Sequence, residues 1–139
     1  MHELSYYYYI GCFFDKEEEE CLLEHRQGPA LERPIGSLHV TVEYLPDQVD
    51  TSLFGTEVEV TVTGYGNDGR NEGFRVEISS ADDEVQRLLD GIEMPHITLS
   101  RAEEAESVDT KNIEFDPIEP FSVKGRFGAY ISGLGPVTD

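Results

Sequence analysis

Residues 38–42 (LHVTV) and 95–99 (PHITL) carry the same pattern, a histidine and a threonine separated by one apolar residue. Side chains alternate between the two faces of a β-strand. Each stretch therefore predicts a strand with its His and Thr on one face and its apolar residues on the other. We call residues 39–41 and 96–98 the first and second HxT motifs. Each lies in its own half of the chain, so the sequence predicts two similar motif strands.

The polar residues of the two motifs suit the chemistry of phosphodiesters. An imidazole titrates near neutral pH, so one histidine can take a proton from water while the other gives one to a leaving oxygen. A threonine hydroxyl on the same face can hold a phosphoryl oxygen between them. A single motif has a second interpretation, a histidine on a solvated or core-facing strand. We interpret the tandem pair as catalytic: His39, Thr41, His96 and Thr98.

The tandem motifs resemble those of the 2H phosphoesterase superfamily, which includes the 2′,3′-cyclic phosphodiesterases of RNA repair and enzymes that cut other cyclic or oligonucleotide phosphates. The resemblance is specific at the four motif residues and covers the rest of the chain only in layout. It implies a compact fold with pseudo-symmetric halves. It also implies an in-line attack, with one histidine as base and the other as acid, that leaves a 2′-phosphate.

The pattern of apolar residues predicts a single α+β domain over residues 1–139. We expect two lobes, each an antiparallel sheet that carries one motif and has a helix on its outer side. A central cleft between the lobes would carry both HxT motifs. The predicted strands are 5–14, 37–45, 57–65, 73–79, 94–100 and 121–132. The predicted helices are 15–26 and 81–90, and residues 116–120 are expected to be an extended connector.

Two further groups of residues are candidates for substrate binding. On the last predicted strand, Lys124, Arg126 and Tyr130 share the face opposite the apolar residues, and basic residues are scarce in this chain. They either bind the phosphate or are edge-strand charges that discourage aggregation. The four tyrosines of residues 6–9 are either core rings or include one that stacks on a nucleobase.

The charge of the chain is strongly negative, with 29 acidic and 10 basic residues and a net charge of −19. A protein that binds long nucleic acid through its phosphates carries a basic surface, so we do not expect a long duplex as partner. Such acidity suits concentrated salt, where charges are screened beyond about 3 Å. We interpret the source as a halophilic host or its virus, with an acidic mesophilic protein as the alternative.

No apolar run reaches the roughly 20 residues of a membrane span, and no secretion signal is recognisable at the start. We expect a monomer in the cytoplasm, or in the host cell cytoplasm if the protein is viral, with no membrane partner. Cys12 and Cys21 are expected to be buried thiols, and no metal-ligand spacing is present. We therefore expect neither a metal nor another cofactor.

Three functions remain open at this point. The first is hydrolysis of 2′,3′-cyclic phosphates on RNA ends or nucleotides, by general acid-base catalysis of two histidines. The second is a nuclease that degrades small cyclic oligonucleotide signals. The third is a non-catalytic domain that binds a nucleotide. The first two need the same four motif residues, whereas the third predicts binding without turnover.

Overall fold

Two α-helices are interspersed among the strands in the computed structural model, which describes residues 7–139 apart from the side chain of Val108. Residues 5 and 6 of the first predicted strand lie outside this range. No helix within it is long and apolar enough to cross a membrane. The elements are β1 (Tyr7–Phe13), α1 (Lys16–Glu24), β2 (Arg33–Pro34), β3 (His39–Tyr44), β4 (Glu57–Asn67), β5 (Asn71–Ser79), α2 (Asp83–Asp90), β6 (His96–Arg101), β7 (Asp116–Ile131) and β8 (Gly135–Val137), with 3₁₀ turns at Thr51–Leu53 and Ser107–Asn112.

The strands form one sheet in the order β1-β3-β6-β5-β4-β7, and pairing of β1 with β7 closes it into a six-stranded barrel. All of these pairings are antiparallel. The short strand β2 pairs with β6, and β8 pairs with β7. The predicted α+β class is confirmed. Because β4 pairs with both β5 and β7, the two sheets that the sequence predicts are joined into one.

The strand β7 is longer than predicted, since residues 116–120 belong to it. The prolines of this segment suggest a connector, because proline cannot donate a ladder hydrogen bond. Pro117 pairs with Gly64 at the point where the register between β4 and β7 shifts. The ladder is already interrupted there, so the proline is accommodated within the strand.

Alternate residues of the strands fill the barrel, as the sequence pattern predicts. The inward residues of β4 and β7 are buried, and each helix adds apolar side chains to the same core: Val58, Val60, Val62, Val123 and Phe127 from the strands, Leu22 from α1, and Val85 and Leu89 from α2. Full burial of one such side chain stabilises the fold by roughly 1.5–3 kcal/mol. Cys12 is buried as expected, whereas Cys21 is only partly buried.

The two halves of the chain repeat one order of elements. The first runs β1, α1, β3 and the second runs β5, α2, β6, and in each half the motif strand pairs antiparallel with the strand before the helix. The motif strands also meet each other, in the pair Val40↔Ile97. These are the middle residues of the two HxT motifs. A local pseudo-twofold axis therefore passes between the motifs.

Candidate active site

The two motif strands share more than the HxT pattern. In each, the threonine pairs with a glycine of the neighbouring strand, and the residue after the threonine is an extra one that bulges from the ladder. In β3 these are Thr41, Gly11 and Val42, and in β6 they are Thr98, Gly73 and Leu99. Bulges of this kind are frequent next to active sites, where they redirect side chains.

Both glycines are required by close approach of the backbone. A Cβ atom on Gly11 would lie 2.6 Å from the carbonyl oxygen of Val40, and one on Gly73 would lie 2.3 Å from that of Ile97. Carbon and oxygen atoms that are not bonded stay about 3 Å apart or more, so neither position has room for a side chain. The pseudo-symmetry thus extends to the strands that support the motifs.

The bulge in β3 changes which residue faces the first motif. Strict alternation from His39 and Thr41 would place Glu43 on their face. Because Val42 is extra, Tyr44 takes that place, and it pairs with Tyr9 as His39 pairs with Phe13. A phenol therefore lies beside the motif where an unbroken ladder would have placed the Glu43 carboxylate.

Both motifs line one cavity of about 570 Å³, which we call the HxT pocket. It lies along the seam between β3 and β6. The loop 91–94 and the 3₁₀ turn Ser107–Asn112 complete its wall. The polar and charged side chains that line it are His39, Thr41, Tyr44, Glu93, His96, Thr98, Ser107, Lys111 and Asn112.

The two histidines are held in the same way. The Nδ1 atom of His39 lies 2.9 Å from the carbonyl oxygen of Ser37, and that of His96 lies 2.9 Å from the carbonyl oxygen of Met94. A carbonyl can only accept, so Nδ1 carries the hydrogen in both rings. Each bond reaches back two residues along the chain. The Nε2 atom of each ring is left to accept or donate a proton in the pocket.

Tyr9 supports the first of these histidines. Its ring stacks on the imidazole of His39 with centroids 4.7 Å apart, and its hydroxyl lies 3.3 Å from Nδ1. Burial raises the pKa of Tyr9, and the neighbouring tyrosines, Tyr44 foremost, raise it further, so the phenol stays neutral. Tyr9 is therefore a positioning residue for His39 and is buried rather than presented to a ligand.

The pKa of each motif histidine is below its usual value. Burial is the main cause of the low pKa of His39, and the charge of His96 lowers it further, although the bond to Ser37 opposes both. Burial also lowers the pKa of His96, and the ammonium group of Lys111 adds to that effect. Protonation of one histidine thus disfavours protonation of the other.

The two motif threonines have different surroundings. The Thr98 hydroxyl lies 3.0 Å from the carbonyl oxygen of Ser107 and 2.8 Å from Oγ1 of Thr110. Asn71 donates to Thr110 and to the carbonyl of Glu106, which fastens the 3₁₀ turn to β5. Thr98 has a single hydroxyl hydrogen, so donation to a phosphoryl oxygen would replace one of its bonds. The Thr41 hydroxyl lies beside Tyr44, and its hydrogen bond partly offsets the rise that burial causes in the Tyr44 pKa.

The structure does not bring Lys124 and Arg126 to the motifs. They line a separate cavity with acidic residues, and Lys124 lies 3.4 Å from a Glu57 carboxylate oxygen. Arg126 shares the sheet face of His39 but is separated from it by β1, where Phe13 pairs with both. Tyr130 lies closer, because its ring stacks on Tyr9 with centroids 5.2 Å apart.

Lys111, which was not predicted from the sequence, is the cation among the described residues that line the HxT pocket. It lies on the 3₁₀ turn that Thr98 and Asn71 fasten to the sheet. The small number of lysines could have marked Lys111 as a candidate phosphate ligand, since it is one of three in the chain. The turn has no apolar periodicity, so nothing in the sequence placed it beside the motifs.

No group of three or more His, Cys, Asp and Glu side chains within the described residues is arranged to hold a metal ion. No protein-family model matches the chain, and no curated protein matches it. The resemblance to the 2H phosphoesterases therefore rests on the two HxT motifs of the sequence.

Proposed function

We propose that the protein is a 2H-type phosphodiesterase that hydrolyses 2′,3′-cyclic phosphates of RNA ends or nucleotides without a metal. The observation that supports this most is the matched pair of histidines. His39 and His96 are held alike through Nδ1, which leaves Nε2 of each for a single pocket. An acid and a base of the same kind, in one cavity, are what hydrolysis of a phosphodiester needs.

In the proposed reaction the phosphorus lies between the two imidazoles. The neutral ring takes a proton from water through Nε2 as the water oxygen bonds to phosphorus. The bond from phosphorus to the ribose 3′-oxygen breaks, and the charged ring protonates that oxygen, which leaves a 2′-phosphate. The Thr41 and Thr98 hydroxyls and the Lys111 ammonium stabilise the charge that gathers on the non-bridging oxygens.

The low pKa values of the two histidines imply how the acid is charged. Burial favours the neutral form of both rings in the free protein, because it lowers the pKa of His39 and of His96. An anionic phosphate beside them favours the protonated form of one ring. The charge on that ring disfavours protonation of the other ring. In this proposal the bound substrate therefore produces the pair of one neutral and one charged histidine.

We further propose that the two halves of the barrel act as lobes around a catalytic cleft. The motif strands β3 and β6 are hydrogen-bonded at Val40↔Ile97. The HxT pocket opens along this seam, with one motif on each side. The substrate would then lie across the pseudo-twofold axis, in contact with both halves.

The proposal is tested by incubating the protein with a nucleoside 2′,3′-cyclic phosphate in EDTA at molar salt. We expect turnover to a single isomer, the 2′-phosphate, identified by chromatography. Loss of activity in EDTA that added metal restores would overturn the metal-independent mechanism. Stoichiometric binding without turnover would identify a nucleotide-binding domain instead.

The pH dependence of this reaction should be bell-shaped with its maximum on the acid side of pH 6.5, the usual pKa of histidine. Above both pKa values no ring is charged, and below both no ring is neutral, so activity is lost in each direction. The charged groups that share the pocket with the histidines are Glu93 and Lys111. The measurement is kcat/KM from pH 4.5 to 8.5, and a plateau up to pH 8 would contradict this assignment.

Replacing Lys111 with methionine should lower kcat/KM by roughly 10-fold or more, the value of a hydrogen bond to a charged group. Because Lys111 lowers the pKa of His96, its loss should also move one limb of the pH profile to higher pH. Lys124→Met removes the same charge outside the pocket and is the matched control. Equal effects of the two variants would show that only the net charge matters.

A nuclease of small cyclic oligonucleotides would use the same residues and is the second candidate. Two further cavities adjoin the HxT pocket and share Tyr44 and Ser107 with it. This continuity favours a substrate that extends beyond one cyclic phosphate. Comparing kcat/KM for a cyclic dinucleotide and for a nucleoside 2′,3′-cyclic phosphate distinguishes the two functions.

A further inference from the structure

The cross-strand partners of the two motif histidines break the pseudo-symmetry of the site. His39 is paired with Phe13 of β1, and His96 is paired with Arg75 of β5. Each partner lies two residues after the glycine that supports its motif, so Phe13 and Arg75 occupy equivalent positions. Residues that pair directly across an antiparallel ladder lie on one face of the sheet. The second motif therefore has a cation next to its histidine where the first has an aromatic ring.

The guanidinium of Arg75 has no carboxylate partner, although the chain has 29 acidic and only 10 basic residues. None of the ion pairs that the structure describes within residues 7–139 includes it. Among the same residues its side chain makes one hydrogen bond, from Nε to the Thr63 hydroxyl oxygen at 3.4 Å. Arg75 is only partly exposed. Its remaining N–H groups are therefore left to water or to an anionic ligand.

Lys111 and Arg75 lie at different distances from the two motifs. Lys111 lines the HxT pocket, and its ammonium group adds to the effect of burial in lowering the pKa of His96. Arg75 is not among the described residues that line this pocket, and it lies on β5, one strand further from the first motif than His96. Lys111 is therefore placed to meet a phosphate between the motifs, whereas Arg75 is placed to meet a group beyond it.

The cavity that adjoins the HxT pocket at Tyr44 and Ser107 does not suit a second phosphate. Its one arginine, Arg101, already donates to three carbonyl groups of the adjoining loop. Its wall contains three glutamates: Glu103, Glu104 and Glu106. A further negative charge would be repelled there. The unpaired cation on β5 is the more favourable place for it.

We propose that Arg75 binds a second phosphate of the substrate, the one on the 5′-oxygen of the nucleoside whose cyclic phosphate lies between the HxT motifs. The inference rests on the proposed function, because that function places the first phosphate beside His96. The planar guanidinium can donate two parallel hydrogen bonds to one phosphate, which suits arginine to this role. The preferred substrate is then the end of an oligonucleotide, since a nucleoside 2′,3′-cyclic phosphate lacks the second group.

The wild type is tested first, with adenosine 2′,3′-cyclic phosphate and its 5′-phosphorylated form as substrates in EDTA at molar salt. The two substrates differ only in the 5′-phosphate. We expect kcat/KM to be about 10- to 100-fold higher for the 5′-phosphorylated form, the value of a hydrogen bond to a charged group. Charges are screened beyond about 3 Å in molar salt, so the preference would require direct contact. Equal values of kcat/KM for the two substrates would overturn the proposal.

Substitutions then assign the preference to Arg75. Arg75→Gln should abolish it, and Arg75→Lys should retain part of it, because lysine keeps the charge without the planar fork. Arg126→Gln is the matched control, since it removes the same charge from a separate cavity, and it should retain the wild-type preference. A full preference in a folded Arg75→Gln protein would overturn the assignment.

A binding measurement separates this inference from the proposed function. Adenosine 2′-monophosphate and adenosine 2′,5′-bisphosphate are titrated into the wild type and the three variants by calorimetry at molar salt. We expect Arg75→Gln to weaken binding of the bisphosphate about 10- to 100-fold more than binding of the monophosphate. That result without any turnover would uphold the second phosphate site and overturn the hydrolase. Equal weakening of both ligands would overturn the second phosphate site.

Discussion

Alanine at either His39 or His96 is expected to lower kcat/KM for a nucleoside 2′,3′-cyclic phosphate at least 100-fold. Each substitution removes the Nε2 atom that would accept or donate the proton. General acid or base catalysis contributes on the order of 10²–10⁴ in rate, so this is the minimum loss for either ring. The double variant should lose less than the product of the two single effects, because the rings act as a unit.

The measurement compares initial rates at the optimal pH and at molar salt, with folding checked by circular dichroism. His25→Ala is the matched control, because this histidine packs on Phe121 next to α1 and lies outside the HxT pocket. It should retain the wild-type rate. A folded His39→Ala or His96→Ala protein with more than a tenth of that rate would remove the residue from the mechanism.

The second large effect concerns stability. Replacing Glu72 with alanine should lower the free energy of unfolding by about 3–5 kcal/mol, the usual consequence of removing one partner of a buried ion pair. Glu72 is fully buried, and its carboxylate accepts from Arg26 at 2.8 Å, from Tyr65 at 2.6 Å and from Ser100 at 2.5 Å. Its loss would leave three donors without their acceptor.

Glu72 also affects the pKa of Tyr65, whose hydroxyl donates to it. Burial raises the pKa of Tyr65 to about 12, and the bond to Glu72 contributes to the rise.

The difference in the free energy of unfolding between Glu72→Ala and the wild type is measured by chemical denaturation at molar salt. Glu77→Ala is the control, an exposed glutamate on the same strand that should change the free energy of unfolding by less than about 0.5 kcal/mol. A loss below about 1 kcal/mol for Glu72→Ala would contradict the structural role of this network.

The strands that carry the motifs could be predicted because polar and apolar residues alternate in the two HxT stretches of the sequence. Val58, Val60 and Val62 follow the same rule and lie in the core as expected. The first helix was predicted from Cys21, Leu22 and Leu23, and the second from Val85, Leu88 and Leu89. Leu22, Val85 and Leu89 are buried as expected, whereas Leu23 is 43% exposed. These signals are local, since each depends on residues within one element.

The contacts between elements that are distant in the chain could not be predicted from the sequence. Tyr44 faces the site because Val42 is extra in the ladder, and no residue preference marks a bulge in advance. Lys111 and Lys124 both belong to the three lysines of the chain, so the sequence does not distinguish them. Only the packing of the 3₁₀ turn on β6 brings Lys111 to the HxT pocket. The closure of the barrel depends likewise on β7 pairing with both β1 and β4.

The pairing of Val40 with Ile97 has a thermodynamic consequence for the proposed hydrolysis. It joins the backbone of the two motifs, so the separation of their strands is fixed when the protein folds. When reacting groups are already held close together, the translational entropy that would otherwise be lost in each turnover is not lost again. In this protein that entropy is lost once, during folding. In the proposed reaction the two imidazoles would therefore act at a high effective molarity, with no preceding movement to bring them together.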